Sequence, residues 1–244
     1  MSVTVDRIES AGYRAWSPDE IVDIDGWTVT SNGGFTRRLN SASTTRNAST
    51  SSETGRRIET WLTDRGAPMT IRVTPLLPAT VADDAASAWD LEARDGTPVL
   101  VAPPDDRRDD QVEVVDAALP AFVDDLFALN ARPPIVRPQW DRLVDRLRSR
   151  GVGLRIAGEA VGFVAVIDHV GLVYSVAVAE PCRRRGLATR IMAAAHGWAF
   201  DHGAEAMTLQ VVGNNVAGRA LYDRLGYVEL YRYHYLQRPR AFGA

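Results

Sequence analysis

Two stretches of this chain nearly coincide, and a fold that must accommodate the same unit twice is the tightest constraint the sequence imposes. Trp61 to Val73 reads WLTDRGAPMTIRV, and Trp198 to Val211 reads WAFDHGAEAMTLQV. Trp, Asp, Gly-Ala, Met-Thr, a branched aliphatic and Val recur in one order once a single residue is gapped, which marks an internal duplication. Each copy reads as a helix closed by a glycine and followed by a buried strand. Those are general solutions, so two unrelated helix–glycine–strand units would share part of this likeness.

The surroundings of the two copies extend the pattern to strand, helix, strand, helix, strand. In the first half the elements are Gly34 to Ser43, Glu53 to Arg65, Met69 to Thr74, roughly Pro78 to Arg94, and Thr97 to Ala102. In the second they are Leu172 to Val178, Leu187 to His202, Met207 to Val212, Val216 to Leu225, and Leu230 to Leu236. The hydrophilic, proline-bearing stretch Pro103 to Gln111 separates them and places a boundary between domains 1–110 and 111–244. Its run Asp105 to Asp110 balances its charges and reads as a solvated linker. The second half has a longer lead-in, with helical spacing over Ala118 to Asn130 and Gln139 to Arg150. Three prolines in Arg132 to Pro138 keep the stretch between them from being helical throughout. An antiparallel meander follows, turning at Gly158-Glu159 and again at Asp168 to Gly171.

With 45% hydrophobic and 24% charged residues over 244 positions, the chain can bury one large core or two smaller ones. A net charge of -3 provides no global attraction to nucleic acid or anionic membranes. Cys182 is the single cysteine, which excludes an intrachain disulfide. The N-terminal MSVTVDRIES lacks a signal-peptide pattern, and the apolar runs are strand-sized. A cytoplasmic location without membrane attachment is the expectation.

The residues richest in chemistry are Cys182-Arg183-Arg184-Arg185-Gly186-Leu187-Ala188, between a strand ending near Ala179 and a helix whose apolar side is Leu187, Ile191, Ala194 and Trp198. The first N–H groups of a helix lack intrahelical acceptors and lie at the positive end of its dipole, so a strand, a basic glycine turn and a helix start make an anion site. Gly186 and Ala188 keep bulk away while the arginines add charge and donors. The same short pattern also suits a solvated basic turn capping a helix. Downstream, Asn215 and Tyr222 stand seven residues apart, near two helical turns, and share a helix face. His196 and His202 lie six apart on one helix, with no cluster to complete a metal site, so no metal is implied. Cys182 has no His–Asp set beside it to suggest covalent catalysis.

Taken together, Arg183-x-x-Gly186-x-Ala188, Leu209-x-Val211, Asn215, Leu221-Tyr222 and Gly226-Tyr227 resemble the GNAT acetyltransferase superfamily over about the last hundred residues. With the repeat, this implies a tandem GNAT fold of class α/β, with mixed twisted sheets flanked by helices and a degenerate N-terminal copy. The run Gly26-Trp27 and Gly34-Phe35-Thr36-Arg37-Arg38-Leu39-Asn40-Ser41 resembles actinobacterial tandem proteins, some described as N-acetylglutamate synthases.

The resemblance implies acetyl-CoA as co-substrate. Val176, Ala177 and Val178 would bond the pantetheine arm through their backbone, and Arg183, Arg184, Arg185, Gly186, Leu187, Ala188 and Thr189 would hold the pyrophosphate. Asn215 would touch the coenzyme, and Tyr222 would act as general acid toward the leaving thiolate, a core aromatic being its plainer reading. A phenol of pKa about 10 suits a thiolate of pKa about 8.5.

A lysine-like amine needs roughly 4 to 5 kcal/mol to reach its neutral form at pH 7, so a base is expected. Glu180, Asp168 and His169 are the nearest candidates in sequence, and a water relay to backbone carbonyls serves equally. Thr44 to Gly55 replaces the phosphate turn in the first copy without its motif. Arg37 and Arg38 are candidate binders of an acceptor carboxylate, as glutamate would require, or else solvent-facing strand charges. The expected activity is transfer of acetyl to a small-molecule amine, L-glutamate first, by a monomer or homodimer. A protein N-terminal or lysine acetyltransferase, a non-catalytic acyl-CoA-binding module and a nucleic-acid-binding module are the rivals.

Overall fold

A computed structural model describes residues 3–34, 36–147 and 150–239, with Asp95 known by its backbone alone. In chain order its elements are α1 (Val5–Ala15), β1 (Glu20–Ile24), β2 (Trp27–Ser31), β3 (Ser41–Ser43), α2 (Ser52–Thr63), β4 (Thr70–Val73), α3 (Ala79–Ala88), β5 (Glu92–Ala102), β6 (Glu113–Val115), α4 (Pro120–Leu129), α5 (Arg137–Leu147), β7 (Gly151–Ile156), β8 (Ala160–Ile167), β9 (Val170–Val178), α6 (Leu187–Asp201), β10 (Ala206–Gln210), α7 (Val216–Arg224) and β11 (Val228–Gln237). The α/β class with mixed sheets flanked by helices is as expected. Among the described residues no helix is long and apolar enough to cross a membrane.

By compactness the chain forms two units, and neither is contiguous. One holds residues 1–16, 99–211 and 215–230; the other holds 17–98, 212–214 and the chain from Tyr231 onward. This differs from a cut at 110/111, and the reason is strand pairing. The last strand of the first half, β5, pairs antiparallel with β10 of the second, from Ala102 opposite Met207 to Val99 opposite Gln210. The last strand of the second half, β11, pairs antiparallel with β4 of the first, from Val73 opposite His234 to Thr70 opposite Gln237. Each ladder satisfies backbone groups that would otherwise face water or go unpaired, and this outweighs proximity along the chain.

In the first unit the strand order is β5-β10-β9-β8-β7-β6. β8 reads AVGFVAVI, with every residue but one buried, and α1, α4 and α6 all pack on it. A near-continuous apolar run is what a strand covered on both faces requires. The β8–β9 turn places Asp168 and His169 at φ 50 and 62, the geometry of a two-residue type I′ hairpin. α6 comes so close to β8 that a Cβ on Gly162 would stand 2.6 Å from Ile191 Cγ2. Trp16, Trp140, Phe163 and Tyr174 form an aromatic cluster, with Trp16 and Tyr174 centroids 4.9 Å apart and Trp140 and Phe163 5.6 Å apart.

The run Asp105 to Asp110 is not a loose linker; it is strapped along α6. Arg108 makes two bonds to Asp201 (2.5 and 2.8 Å), and Asp109 receives two from Arg190 (2.8 and 3.0 Å). The balanced charges that read as solvated are therefore complements to the helix.

In the second unit the order is β1-β2-β3-β4-β11. The repeated segments fold alike. Gly66 and Gly203 both take a left-handed φ, 73 and 76. Ala67 N–H reaches Leu62 O at 3.0 Å, and Ala204 N–H reaches Ala199 O at 2.9 Å, closing both helices in the same way. Each repeat then enters a strand parallel to the one before its helix, with Ala42 opposite Ile71 and Leu172 opposite Thr208.

Two local expectations change. The strand expected over Gly34 to Ser43 shrinks to Ser41–Ser43, preceded by a 3-10 turn at Arg37–Leu39. Asn40 is the cause. Its Oδ1 accepts from the N–H groups of Asn32 and Gly34, and its Nδ2 donates to Asn32 Oδ1 and Thr36 O, so the backbone closes on a side chain instead of a ladder. Likewise the helix expected to reach Arg94 stops at Ala88, where Asp90 adopts φ 51 and β5 begins two residues later. Phe35, Arg148 and Ser149 of the expected elements lie outside the described residues. Gly162→Val should destabilise the chain by about 1–3 kcal/mol through overpacking against Ile191, read as a lower urea midpoint with an unchanged slope.

Candidate functional site

The site grows from a fork in the first unit's sheet. β9 runs parallel to β10 from Val170 opposite Ala206 to Val173 opposite Leu209, and there the pairing stops. Beyond it β9 continues against β8 alone, with Ala177 opposite Val161 and Val178 opposite Ala160. Val176, Ala177 and Val178 are half-buried, and their ladder toward β10 is absent. Two residues of β9, Ser175 and Val176, lie opposite the single Gly162 of β8, and Ser175 has φ 55. This β-bulge turns the strand away from β10.

The chain then passes a 3-10 turn at Glu180–Cys182 and reaches α6. Gly186 caps that helix with φ 80 and supplies no side-chain bond to it. An added Cβ there would meet nothing within 4 Å, so the glycine is required by its backbone conformation and not by crowding. The first α6 bond is Arg190 N–H to Gly186 O at 3.1 Å, so the N–H groups of Leu187, Ala188 and Thr189 precede the helical ladder. Arg183, Arg184 and Arg185 are exposed around this end. Arg183 Nε folds back to Val178 O (3.4 Å), and Arg185 donates to Glu159 Oε1 at 3.0 Å. That bond, more than any other cause, raises the Arg185 pKa. Glu159 also accepts from Cys182 Sγ at 3.6 Å, which makes it the organiser of the turn.

Tyr222, on α7, is 9% exposed and belongs to the same apolar cluster as Val173, Leu187 and Ile191, with Val176 and Val178 packed against it. Burial raises its pKa to about 12. Its ring meets Tyr227 edge-on, with centroids 5.8 Å apart. Asn215 is the N-cap of α7, its Oδ1 accepting from Gly218 N–H at 2.9 Å. An unpaired strand edge, a bare helix N-terminus with arginines, and a buried phenol thus converge in one unit.

The description "acetyltransferase (GNAT) family" belongs to the family model that matches residues 116–227, which holds every one of these groups. Residues 116–227 are thus similar in sequence to the GNAT acetyltransferase family. The family is one of acyltransferase enzymes. The uncharacterized N-acetyltransferase YobR of Bacillus subtilis is 38% identical over 76 residues, a match spanning 31% of this chain and 31% of that protein. Among solved structures, a GCN5-related N-acetyltransferase from Kribbella flavida is similar in fold with a TM-score of 0.71, at 17% identity, with 98% of each chain covered. A tandem GNAT protein from the clavulanic acid biosynthesis pathway aligns with a TM-score of 0.57 at 13% identity, over 78% of this chain and 70% of that one.

The first unit brings together Val176 to Val178, Arg183 to Thr189, Asn215 and Tyr222, and the other residues named from sequence lie apart from them. Asp168 and His169 sit at the opposite end of β9 from Val178, roughly 30 Å away at about 3.3 Å per residue. Asp168 bonds Arg14 there, and His169 bonds Gly203 O. Glu180 lies at the turn itself and is exposed. Arg37 and Arg38 are in the other unit, on the 3-10 turn, and the Arg37 guanidinium stands 4.9 Å from the centroid of the Tyr235 ring. Among the described residues no cluster of three or more His, Cys, Asp or Glu is arranged for a metal.

Sequence reading passed over Glu159 and Ser175, for neither carries a local signal. His196, discounted as a ligand, is 1% exposed on α6, with Nε2 2.9 Å from Tyr227 OH and Nδ1 3.2 Å from Asp105 Oδ2, the latter outside hydrogen-bond geometry. Burial depresses its pKa below 6.5, partly offset by Asp105. Above pH 6.5 it is neutral folded or unfolded; below, the unfolded chain takes up a proton that the folded chain resists. Stability should therefore fall as pH drops from 6.5. His196→Gln should flatten that slope in urea unfolding between about pH 7.5 and 5.5, in part only, because burial also depresses His234.

Proposed function

We propose that this chain is an acetyl-CoA-dependent N-acetyltransferase with one coenzyme site, in the unit that holds the GNAT domain, and that its N-terminal copy is degenerate. The observation that supports this best is the unpaired end of β9 leading straight into the uncapped N-terminus of α6. When bound, acetyl-CoA supplies the activated acetyl group. Val176, Ala177 and Val178 offer backbone donors and acceptors to the pantetheine amides, as an added strand would. The N–H groups of Leu187, Ala188 and Thr189, with Arg183, Arg184 and Arg185, take the pyrophosphate at the positive end of α6. Glu159 holds the Arg185 fork in place for that task. Asn215 spends its oxygen on the α7 cap and presents its amide nitrogen to the coenzyme.

Tyr222 keeps its proton through the working range, with its pKa near 12. Complete transfer to a thiolate of pKa about 8.5 would be roughly 5 kcal/mol uphill, so the phenol stabilises the departing sulfur by donating a hydrogen bond. The acceptor amine loses its proton to a water that backbone carbonyls of the β9 end orient by accepting its hydrogen bonds, and the proton passes on to exposed Glu180 or to bulk solvent.

The first copy supports a single site by contrast. α2 starts at Ser51, whose hydroxyl accepts from Thr54 N–H at 3.2 Å. The Asp25 carboxylate lies at the same first turn, bonded by Thr54 Oγ1 (2.8 Å) and Arg57 (2.7 and 2.8 Å). The bonds from Thr54 and Arg57, Thr54 first, lower the Asp25 pKa. The position of an anion is thereby filled from within the protein.

For the acceptor we propose a small amino acid, L-glutamate first, on the likeness of the Gly34 to Ser41 run and the two arginines within it. A role in amino-acid biosynthesis follows from that choice. Acetyl-CoA-dependent turnover over a panel of amino acids, polyamines, aminoglycosides and peptides tests it, and turnover on peptides alone would move the assignment to protein acetylation. Tyr222→Phe should lower kcat by about a hundredfold or more while leaving acetyl-CoA affinity within about twofold. Arg185→Ala should instead weaken acetyl-CoA binding about tenfold in calorimetry. Equal loss of affinity in both variants would remove the catalytic assignment of Tyr222.

A further inference from the structure

The bulge in β9 has an unfavourable conformation, and a side chain from a distant element is bonded to it. Ser175 is not a glycine, yet it has φ 55, a region that L-residues enter at a cost of about tenfold in population. Asn130, at the C-terminus of α4, uses Nδ2 to donate to Ser175 O at 3.3 Å and to Leu126 O in the last turn of its own helix at 3.0 Å. One amide thus ties the helix end to the strained residue. Ser175 lies two residues past the last β9–β10 pair, where the strand leaves its parallel neighbour.

Because strand side chains alternate with a period of two, removing the extra residue of a bulge slips every later residue to the other face. Val176 and Val178 now pack on the core cluster that contains Tyr222. If Ser175 reverted to negative φ and the bulge closed, these valines would turn away and their backbone edge would rotate with them.

We propose that Asn130 is a positioning residue for coenzyme binding: it pins the Ser175 bulge and so sets the orientation of the Val176 to Val178 backbone edge. This rests on the reading of that edge as the one that receives pantetheine. Asn130 touches neither coenzyme nor acceptor in this role; it acts through Ser175.

The test is acetyl-CoA binding by calorimetry on the full chain, with backbone amide exchange at Val176 to Val178 measured alongside. Asn130→Ala should weaken binding about tenfold and speed exchange at these amides. Ser175→Gly alone should stay within about twofold of the parent, since glycine takes φ 55 without penalty. The double variant should recover to within about threefold, because a bulge that costs nothing needs no pin. A general loss of folding at α4 would show no such rescue. Asn130→Asp keeps the size but cannot donate when ionised, and it should repeat the Asn130→Ala loss if that variant does not fold. Unchanged binding and exchange in Asn130→Ala, or a double variant as weak as Asn130→Ala, would overturn the proposal. If the parent chain binds no acetyl-CoA, the coenzyme reading fails on its own, while the exchange pattern still decides whether Asn130 pins the bulge.

Discussion

A parallel ladder that stops early organises the first unit. β9 and β10 pair for four residues and then part at Val173 and Leu209. Parallel neighbours require a crossover, here α6, and the crossover starts from the carboxyl end of the first strand. The helix N-terminus and the freed edge of β9 are therefore brought to one place by topology, before any side chain is considered. Beyond Val173 the backbone of β9 has no β10 partner, and side chains reach part of it: Asn130 donates to Ser175 O and Arg183 to Val178 O. The meeting of strand edge and helix end is a consequence of how the sheet opens.

Electrostatics then distinguishes two helix starts. Both α2 and α6 follow a strand and present a positive end. α6 begins with Gly186, which has no side chain to satisfy its amides, and with three arginines. α2 begins with Ser51, which satisfies one amide itself, and with the carboxylate of Asp25 beside it. A left-handed glycine leaves the first amides of α6 without a side-chain cap, whereas at α2 a hydroxyl takes one amide and a carboxylate lies at the first turn. The same dipole physics yields opposite outcomes because the cap differs.

Long-range pairing also explains why the compact units ignore chain order. β5 and β11 end the two repeats, and each is hydrogen-bonded to a strand of the opposite repeat. Pro103 to Gln111 was legible as a break in periodicity, and its charges were legible as balanced. Their partners were not. Arg190 and Asp201 lie some eighty to ninety residues further along, on a helix whose solvent-facing positions accept many charge patterns. A run of alternating charge reads the same whether water or a helix neutralises it.

What the sequence determined by itself was whatever depends on local stereochemistry. The repeat, the strand–helix alternation, the meander before β9, and the Arg183 to Ala188 turn rest on glycine conformation, side-chain period and charge within a few residues, so they survive without knowledge of the rest. The tertiary structure alone decided the pairing of β11 with β4, the hold of Glu159 on Arg185, the burial of His196 against Tyr227, and the pin from Asn130 to Ser175. Each joins groups far apart in sequence whose types fit many partners, and a serine in left-handed conformation gives no local sign. Distance along the chain carries no information about such contacts until the core has chosen which elements lie side by side.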